Sequence, residues 1–165
     1  MPPPARDLDG RYVAVVGPAD AARESDLAHA TEVGRLLAQE GAVVLTGGHH
    51  GVMRAAAAGA TGAGGVAIGL LPGLEREAGA PEHTYLLPTG LGELRNGLLV
   101  RSADAVVAVG CSWGTLSEIA LARGTGVPLV LVDPWPLPED VGTVVEDAAA
   151  AVRATIAALM TQPRC

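Results

Sequence analysis

Three short stretches of this 165-residue chain carry residue types able to hold an anion and to act on whatever is attached to it. The first is Thr46-Gly-Gly-His-His-Gly51, where Gly47, Gly48 and Gly51 let backbone N–H groups converge ahead of a helix. His49 and His50 are bulky for such a cradle and suit its lining, His50 among the ligand-binding candidates; with no third ligand in view, no metal site is expected. The second stretch, Gly110-Cys-Ser-Trp-Gly-Thr-Leu-Ser-Glu118, reads as a turn and a helix start. Ser112 and Thr115 add hydroxyls, Trp113 and Gly114 stand at the helix entry, and Glu118 lies one turn inside on the face of Thr115. That spacing is also a capping box, in which Glu118 merely caps a backbone N–H, and spacing alone favours the cap. Cys111 has no evident base partner and reads as a small buried thiol. The third feature is Arg95, which a helix from Leu91 places between Leu91 and Leu99 in an apolar arc. A guanidinium there needs an anionic partner, either a structural carboxylate such as Asp104 or a ligand phosphate.

These residues need a scaffold, and the pattern of the chain supplies one. Tyr12–Gly17 is a β-branched run that ends on a glycine, and Gly17 joins the ligand-binding candidates. Helical spacing follows from about Ser25 to Glu40, with Leu27, Ala30, Thr31, Gly34, Leu37 and Ala38 on one face and Gly34 permitting close approach to the sheet. Ala42–Leu45 is a second strand, Val52–Ala60 a helix, and Gly65–Leu71 a third strand. Pro72–Thr84 has little periodicity and reads as a flexible loop. Tyr85–Leu87, Ala105–Val109 and Val127–Val132 are further strands, Leu91–Ser102 a helix, and a helix after the 110–114 turn runs to about Arg123. An alanine-rich helix is expected over Thr143–Met160. Strands alternating with helices imply an α/β fold, a Rossmann-like doubly wound parallel sheet in three αβα layers. Every glycine-rich turn falls at a strand's carboxyl end, where such sheets bind ligands.

Composition narrows the function. Hydrophobic residues are 49% and aromatics 2%, with no Phe, so Val, Leu, Ile and Ala must fill the core of a covered parallel sheet. A net charge of -7 speaks against a nucleic-acid partner. Two cysteines make no disulfide framework, and a cytoplasmic location is expected. No apolar stretch is long enough to span a membrane. Residues 1–10, with their prolines, read as a disordered lead-in, and residues 11–162 as one nucleotide-binding domain.

TGGHHGVMRAA, LRNGLLVRSADAVVAVG and GCSWGTLSE together resemble the LOG (Lonely Guy) family, often mislabelled as lysine decarboxylases, over about Val13–Val132. The resemblance implies a dimeric Rossmann-like protein that cleaves the N-glycosidic bond of a nucleoside 5′-monophosphate to free base and ribose 5-phosphate. By position, Arg95 and Glu118 would be the catalytic pair, and Gly114, Thr115, Gly47, Gly48 and Gly51 the phosphate cradle. No metal or other cofactor is implied. Three departures stand out: Gly110-Cys-Ser112 where the family has Pro-Gly-Gly, the two histidines, and Arg54 where the family carries Glu. The RN-x-x-x-VRSAD wording resembles a branch that includes molybdenum-cofactor carrier proteins, which implies the alternative of a binding or carrier protein without turnover. The alanine-rich helices can serve subunit contacts or pack on their own sheet.

Overall fold

Strict two-residue alternation along the strands builds both faces of the sheet. Val13, Val15, Val44, Val107 and Val132 point into one apolar cluster, while Ala14, Val16, Leu45, Val106, Ala108 and Leu131 point into the other. The computed structural model describes Met1 and residues 5–162. Strands β1 (Tyr12–Val16), β2 (Val43–Thr46), β3 (Val66–Leu71), β4 (Tyr85–Pro88), β5 (Ala105–Val109), β6 (Leu129–Val132) and β7 (Thr143–Val145) form one seven-stranded sheet in the order β4-β3-β2-β1-β5-β6-β7. Every pairing is parallel. The fold is therefore the expected Rossmann-like α/β sandwich. The chain runs outward from β1 to β4, then returns to β5 on the other side of β1, so the topological switch lies between β1 and β5.

Helices α1 (Glu24–Gln39), α2 (Val52–Gly62) and α5 (Ala148–Met160) cover the first face. Helices α3 (Arg95–Ser102) and α4 (Trp113–Thr125) cover the second. The alanine faces of α2 and α5 pack within their own chain, with Ala56, Ala57, Ala60, Ala151 and Val152 buried. Exposed apolar side chains cluster instead at Leu91, Leu94 and Leu98 around α3, with Leu121 on α4. Among the described residues, no helix is long and apolar enough to cross a membrane.

Several expectations need correction. Residues 2–4 of the expected lead-in lie outside the described residues, but Leu8 is fully buried and its N–H donates to Glu40 O, so packing begins before residue 11. The buried face of α1 is Asp26, Ala30, Val33, Gly34, Leu37 and Ala38, a rotation that exposes Thr31. Gly34 does not serve approach to the sheet: a Cβ there would overlap the Ala56 carbonyl, and one at Gly59 the Thr31 carbonyl, so α1 and α2 meet backbone to backbone. The C-terminal helix starts at Ala148, capped by Asp147 (Oδ1 accepting from the Ala150 N–H, 2.8 Å), and the preceding Thr143–Val145 is edge strand β7. Residues 92–94 form a 3-10 turn before α3, which leaves Leu91 exposed outside the helix. The 72–84 segment contains a 3-10 turn at Arg76–Ala78 and is anchored by buried Ala80 and His83.

Candidate functional site

The three stretches converge at the carboxyl ends of β2 and β5, on either side of β1. Arg95 joins them. From the first turn of α3 its guanidinium reaches over to the glycine loop, where a Cβ on Gly47 would overlap its Nη1 and stand 2.7 Å from Met53 Sδ. The same guanidinium faces Glu118 on α4, Nη1 to Oε1 3.9 Å, with both side chains about nine-tenths buried. No hydrogen bond closes this pair, and the buried Arg95 Nε has no partner. The structural carboxylate weighed for Arg95 is already engaged: Asp104 accepts from the Tyr12 N–H at 2.7 Å and pairs with Arg11 at 3.5 Å.

Desolvation dominates the electrostatics of the pair. Burial pushes the Glu118 carboxyl up to about 7, and the Arg95 charge only partly opposes it. Burial likewise lowers Arg95 from its ordinary value, with Glu118 opposing. An ion pair without hydrogen bonds recovers too little to keep the Glu118 carboxyl ionised as it is in water, and it leaves the Arg95 guanidinium with donors free for an anion. Glu118 is thereby poised near neutral pH, where a general base is most effective.

Glu118 is not a cap. Ser112 is the N-cap of α4, its Oγ accepting from the Thr115 N–H at 3.3 Å and lying 2.9 Å from Thr115 Oγ1. These bonds engage the Ser112 and Thr115 hydroxyls with each other, and Thr115 is buried. The N–H groups of Trp113 and Gly114 remain at the open end of the helix, with the positive end of its dipole behind them. Asn96, turned away from Arg95, instead donates to Ser117 Oγ at 3.0 Å and ties α3 to α4.

The glycine loop divides into parts. Gly48 (φ +84) and Gly51 (φ +68) adopt left-handed backbone, and Gly51 is the N-cap of α2. The Val52 N–H is taken by Pro18 O at 3.0 Å, so α2 presents fewer open donors than α4. Gly17 sits against the Val109 carbonyl and the Val52 side chain, where a Cβ would clash, so its smallness serves packing. His50 is exposed and lies 2.6 Å from Asp20 Oδ1, at the rim rather than in the cradle. Burial lowers His49 from its ordinary value, and the nearby Arg95 charge adds to this. Arg54, at the position where the LOG motif carries Glu, binds Glu82 (Nε to Oε1 2.7 Å).

Sequence reasoning missed two features. Buried His83 lies 2.6 Å from Thr46 Oγ1, and that oxygen accepts the Gly48 N–H at 2.9 Å, so His83 braces the glycine loop from β3's far side. Only its lone position in an aperiodic loop hinted at this. The chain's only tryptophans, Trp113 and Trp135, meet edge to face with ring centroids 5.1 Å apart. Cys111 is half-buried beside them, and burial raises its thiol above the ordinary value, which keeps it protonated. Among the described residues, no group of three or more His, Cys, Asp or Glu is placed to hold a metal ion.

Known proteins share this chain's sequence pattern and its fold. The SLOG cluster4 family matches residues 10–162. The chain belongs to that family. Its sequence is 30% identical over 139 residues to a cytokinin riboside 5′-monophosphate phosphoribohydrolase of Mycobacterium tuberculosis, covering 78% of this chain and 74% of that protein. The fold is similar to the molybdenum cofactor binding protein of Rippkaea orientalis, with TM-score 0.85, 34% identity, and 92% and 98% of the two chains covered. It is similar also to the molybdenum cofactor carrier protein of Chlamydomonas reinhardtii, with TM-score 0.81, 33% identity, and 92% and 99% covered. The LOG-like reading, near the molybdenum-cofactor carrier branch, therefore stands.

Proposed function

We propose that this protein binds a nucleoside 5′-monophosphate and hydrolyses its N-glycosidic bond, giving free base and ribose 5-phosphate. The observation that carries the reading is the buried Arg95–Glu118 pair, 3.9 Å apart and not hydrogen-bonded, with Arg95 Nε unpartnered. The glycine loop after β2 and the open N–H groups of Trp113 and Gly114 take the phosphate, and Arg95 holds it against them. Glu118 then faces the sugar. As the bond to the base breaks, positive charge grows on the anomeric carbon, and the carboxylate stabilises it. The same carboxylate accepts a proton from the attacking water, whose oxygen bonds to that carbon while the base leaves with the bond's electron pair. The Mycobacterium tuberculosis relative supports this assignment by its name and by the match over most of both chains.

A second reading is a binding or carrier protein that holds a phosphorylated ligand, a mononucleotide or a molybdenum cofactor as cargo, without turnover. Its support is that the molybdenum-cofactor proteins match at higher identity and over more of this chain than the hydrolase does. Both readings use the same anion site. Chromatography after incubation with a panel of nucleoside 5′-monophosphates separates them: release of base and ribose 5-phosphate by the wild type, lost in Glu118→Gln, is expected for the hydrolase. An intact panel at high protein concentration, with a retained phosphorylated ligand, refutes hydrolysis.

In either reading the protein acts as a homodimer. Leu91, Leu94, Leu98 and Leu121 offer an exposed apolar surface for it. Light scattering should give twice the chain's 16.6 kDa, and Leu94→Glu with Leu98→Glu should halve the mass.

A further inference from the structure

Beyond the α4 N-terminus, on the side away from Glu118, lies a pocket of about 350 Å³ lined by Arg23, Asp26, Cys111, Asp133 and Trp135, among others. Its walls come from the loops after β1, β5 and β6 and from the start of α1, whereas Arg95 and Glu118 come from α3 and α4 and touch the loop after β2. At about 100° per residue, Trp113 and Glu118 stand roughly 140° apart around α4. A molecule that reaches both regions must therefore cross the open end of that helix.

The pocket is furnished for a flat, polar ring. Trp135 lines it, and Trp113 meets Trp135 in a T-shaped contact, at 79° between planes, which braces the indole at the pocket wall. Two tryptophans meeting in a chain with 2% aromatic residues are hard to attribute to core packing, since Trp113 is 78% exposed. The pocket's two carboxylates differ. Asp26 is buried and fully engaged by Arg23, through its N–H (2.9 Å), Nε (3.1 Å) and Nη2 (2.8 Å). Asp133 stands 3.9 Å from both Arg23 Nη2 and His29 Nε2, and among the described residues its side chain makes no hydrogen bond. It is the chain's one non-glycine residue at positive φ among those described (φ +50), a conformation that holds its carboxylate at the pocket.

We infer that this pocket is a second subsite, which takes an amino-bearing planar nitrogen heterocycle stacked on Trp135 with its amino group donating to Asp133. The ring is joined through phosphate to the group held at Arg95 and Glu118. The full ligand is then a two-headed molecule of the dinucleotide type, with its phosphates on the Trp113 and Gly114 N–H groups. This rests on the anion site proposed above and extends it past a mononucleotide.

Titration of the full chain with inorganic phosphate, AMP and P1,P2-di(adenosine-5′) pyrophosphate tests it, by calorimetry and by the emission of Trp113 and Trp135, with inorganic phosphate giving the change that the anion site alone produces. The dinucleotide should bind on the order of tenfold more tightly than AMP, the value of one added stacked ring, and should quench the emission. Trp135→Leu should bring the dinucleotide down to the affinity of AMP while leaving AMP within about twofold; Trp135→Phe should restore most of the difference. Asp133→Asn, which tolerates the same backbone, should weaken the dinucleotide selectively. Equal affinity for AMP and the dinucleotide, or equal losses of both in Trp135→Leu, overturns the subsite. AMP binding that Arg95→Met leaves unchanged refutes the anion site instead, so the two failures are distinct.

Discussion

Replacing Glu118 with Gln should make the protein more stable at high pH, by an amount that vanishes at low pH. The carboxyl rises from an ordinary 4.5 to about 7 because burial strips its hydration and Arg95, unbonded at 3.9 Å, does not replace it. Below pH 4.5 the group is protonated in the folded and unfolded chains alike, and burying it costs no ionisation energy. Between about 4.5 and 7 the unfolded chain releases the proton that the folded chain retains, and stability falls by about 1.4 kcal/mol per pH unit. Above 7 the full penalty, about 3 kcal/mol, is in force. Gln has nearly the same shape and no proton to lose. Urea denaturation of wild type and Glu118→Gln at pH 4.5 and pH 8 should therefore give stabilities that differ by about 3 kcal/mol more at pH 8, in favour of the variant. In melting temperature this is about 6–12 °C for a chain of this length. Other titrating groups cancel in the difference. A gap of the same size at both pH values would mean that Glu118 ionises as an ordinary solvated carboxylate, and the argument from desolvation would be wrong.

Gly47→Ala should displace the Arg95 guanidinium, because the new Cβ overlaps Nη1; phosphate affinity, followed by calorimetry, should fall at least tenfold, the equivalent of about 1.4 kcal/mol. Gly59→Ala meets the Thr31 backbone instead of a flexible side chain, so it should cost about 3 kcal/mol in chemical denaturation, while Gly62→Ala, with open space around it, should not destabilise. Asp26→Asn should cost about 1–2 kcal/mol at neutral pH. Burial alone would raise this carboxyl, but the Arg23 hydrogen bonds outweigh it and hold it below its ordinary value of 3.8, so the cost should shrink as pH falls below that value, measured as the wild-type-minus-variant difference.

Elements with strong periodicity were legible from sequence, and those held by tertiary contacts were not. The six runs of Val, Leu and Ala that became β1 to β6 sit where their apolar patterning put them. Strand β7 escaped because three residues on an exposed edge carry no alternation signal, and the alanines beyond Asp147 extended the helical pattern over them. The face of α1 was misjudged by one ridge: Asp26 is buried only because Arg23 caps and neutralises it, a pairing that hydropathy reads as solvent-facing. At the site, residue types marked Arg95 and Glu118, but spacing favoured a capping role for Glu118 that Ser112 performs instead. Sequence leaves two partners open for Arg95, and the structure engages one of them, Asp104, with Tyr12 and Arg11. Nothing in sequence brings Trp113 to Trp135 or His83 to Thr46, since both pairs exist only through strand order.

The glycine contacts between α1 and α2 divide the molecule into a fixed part and an adjustable one. Where Gly34 and Gly59 bring one helix backbone against the other, no rotamers remain to be frozen, so the platform beneath the glycine loop is ordered when the chain folds. Any adaptation to a ligand should fall instead on α3, eight residues long and entered through a 3-10 turn. Amide exchange should show the same division, slow along the α1–α2 seam and fast through residues 91–96, with ligand slowing only the second.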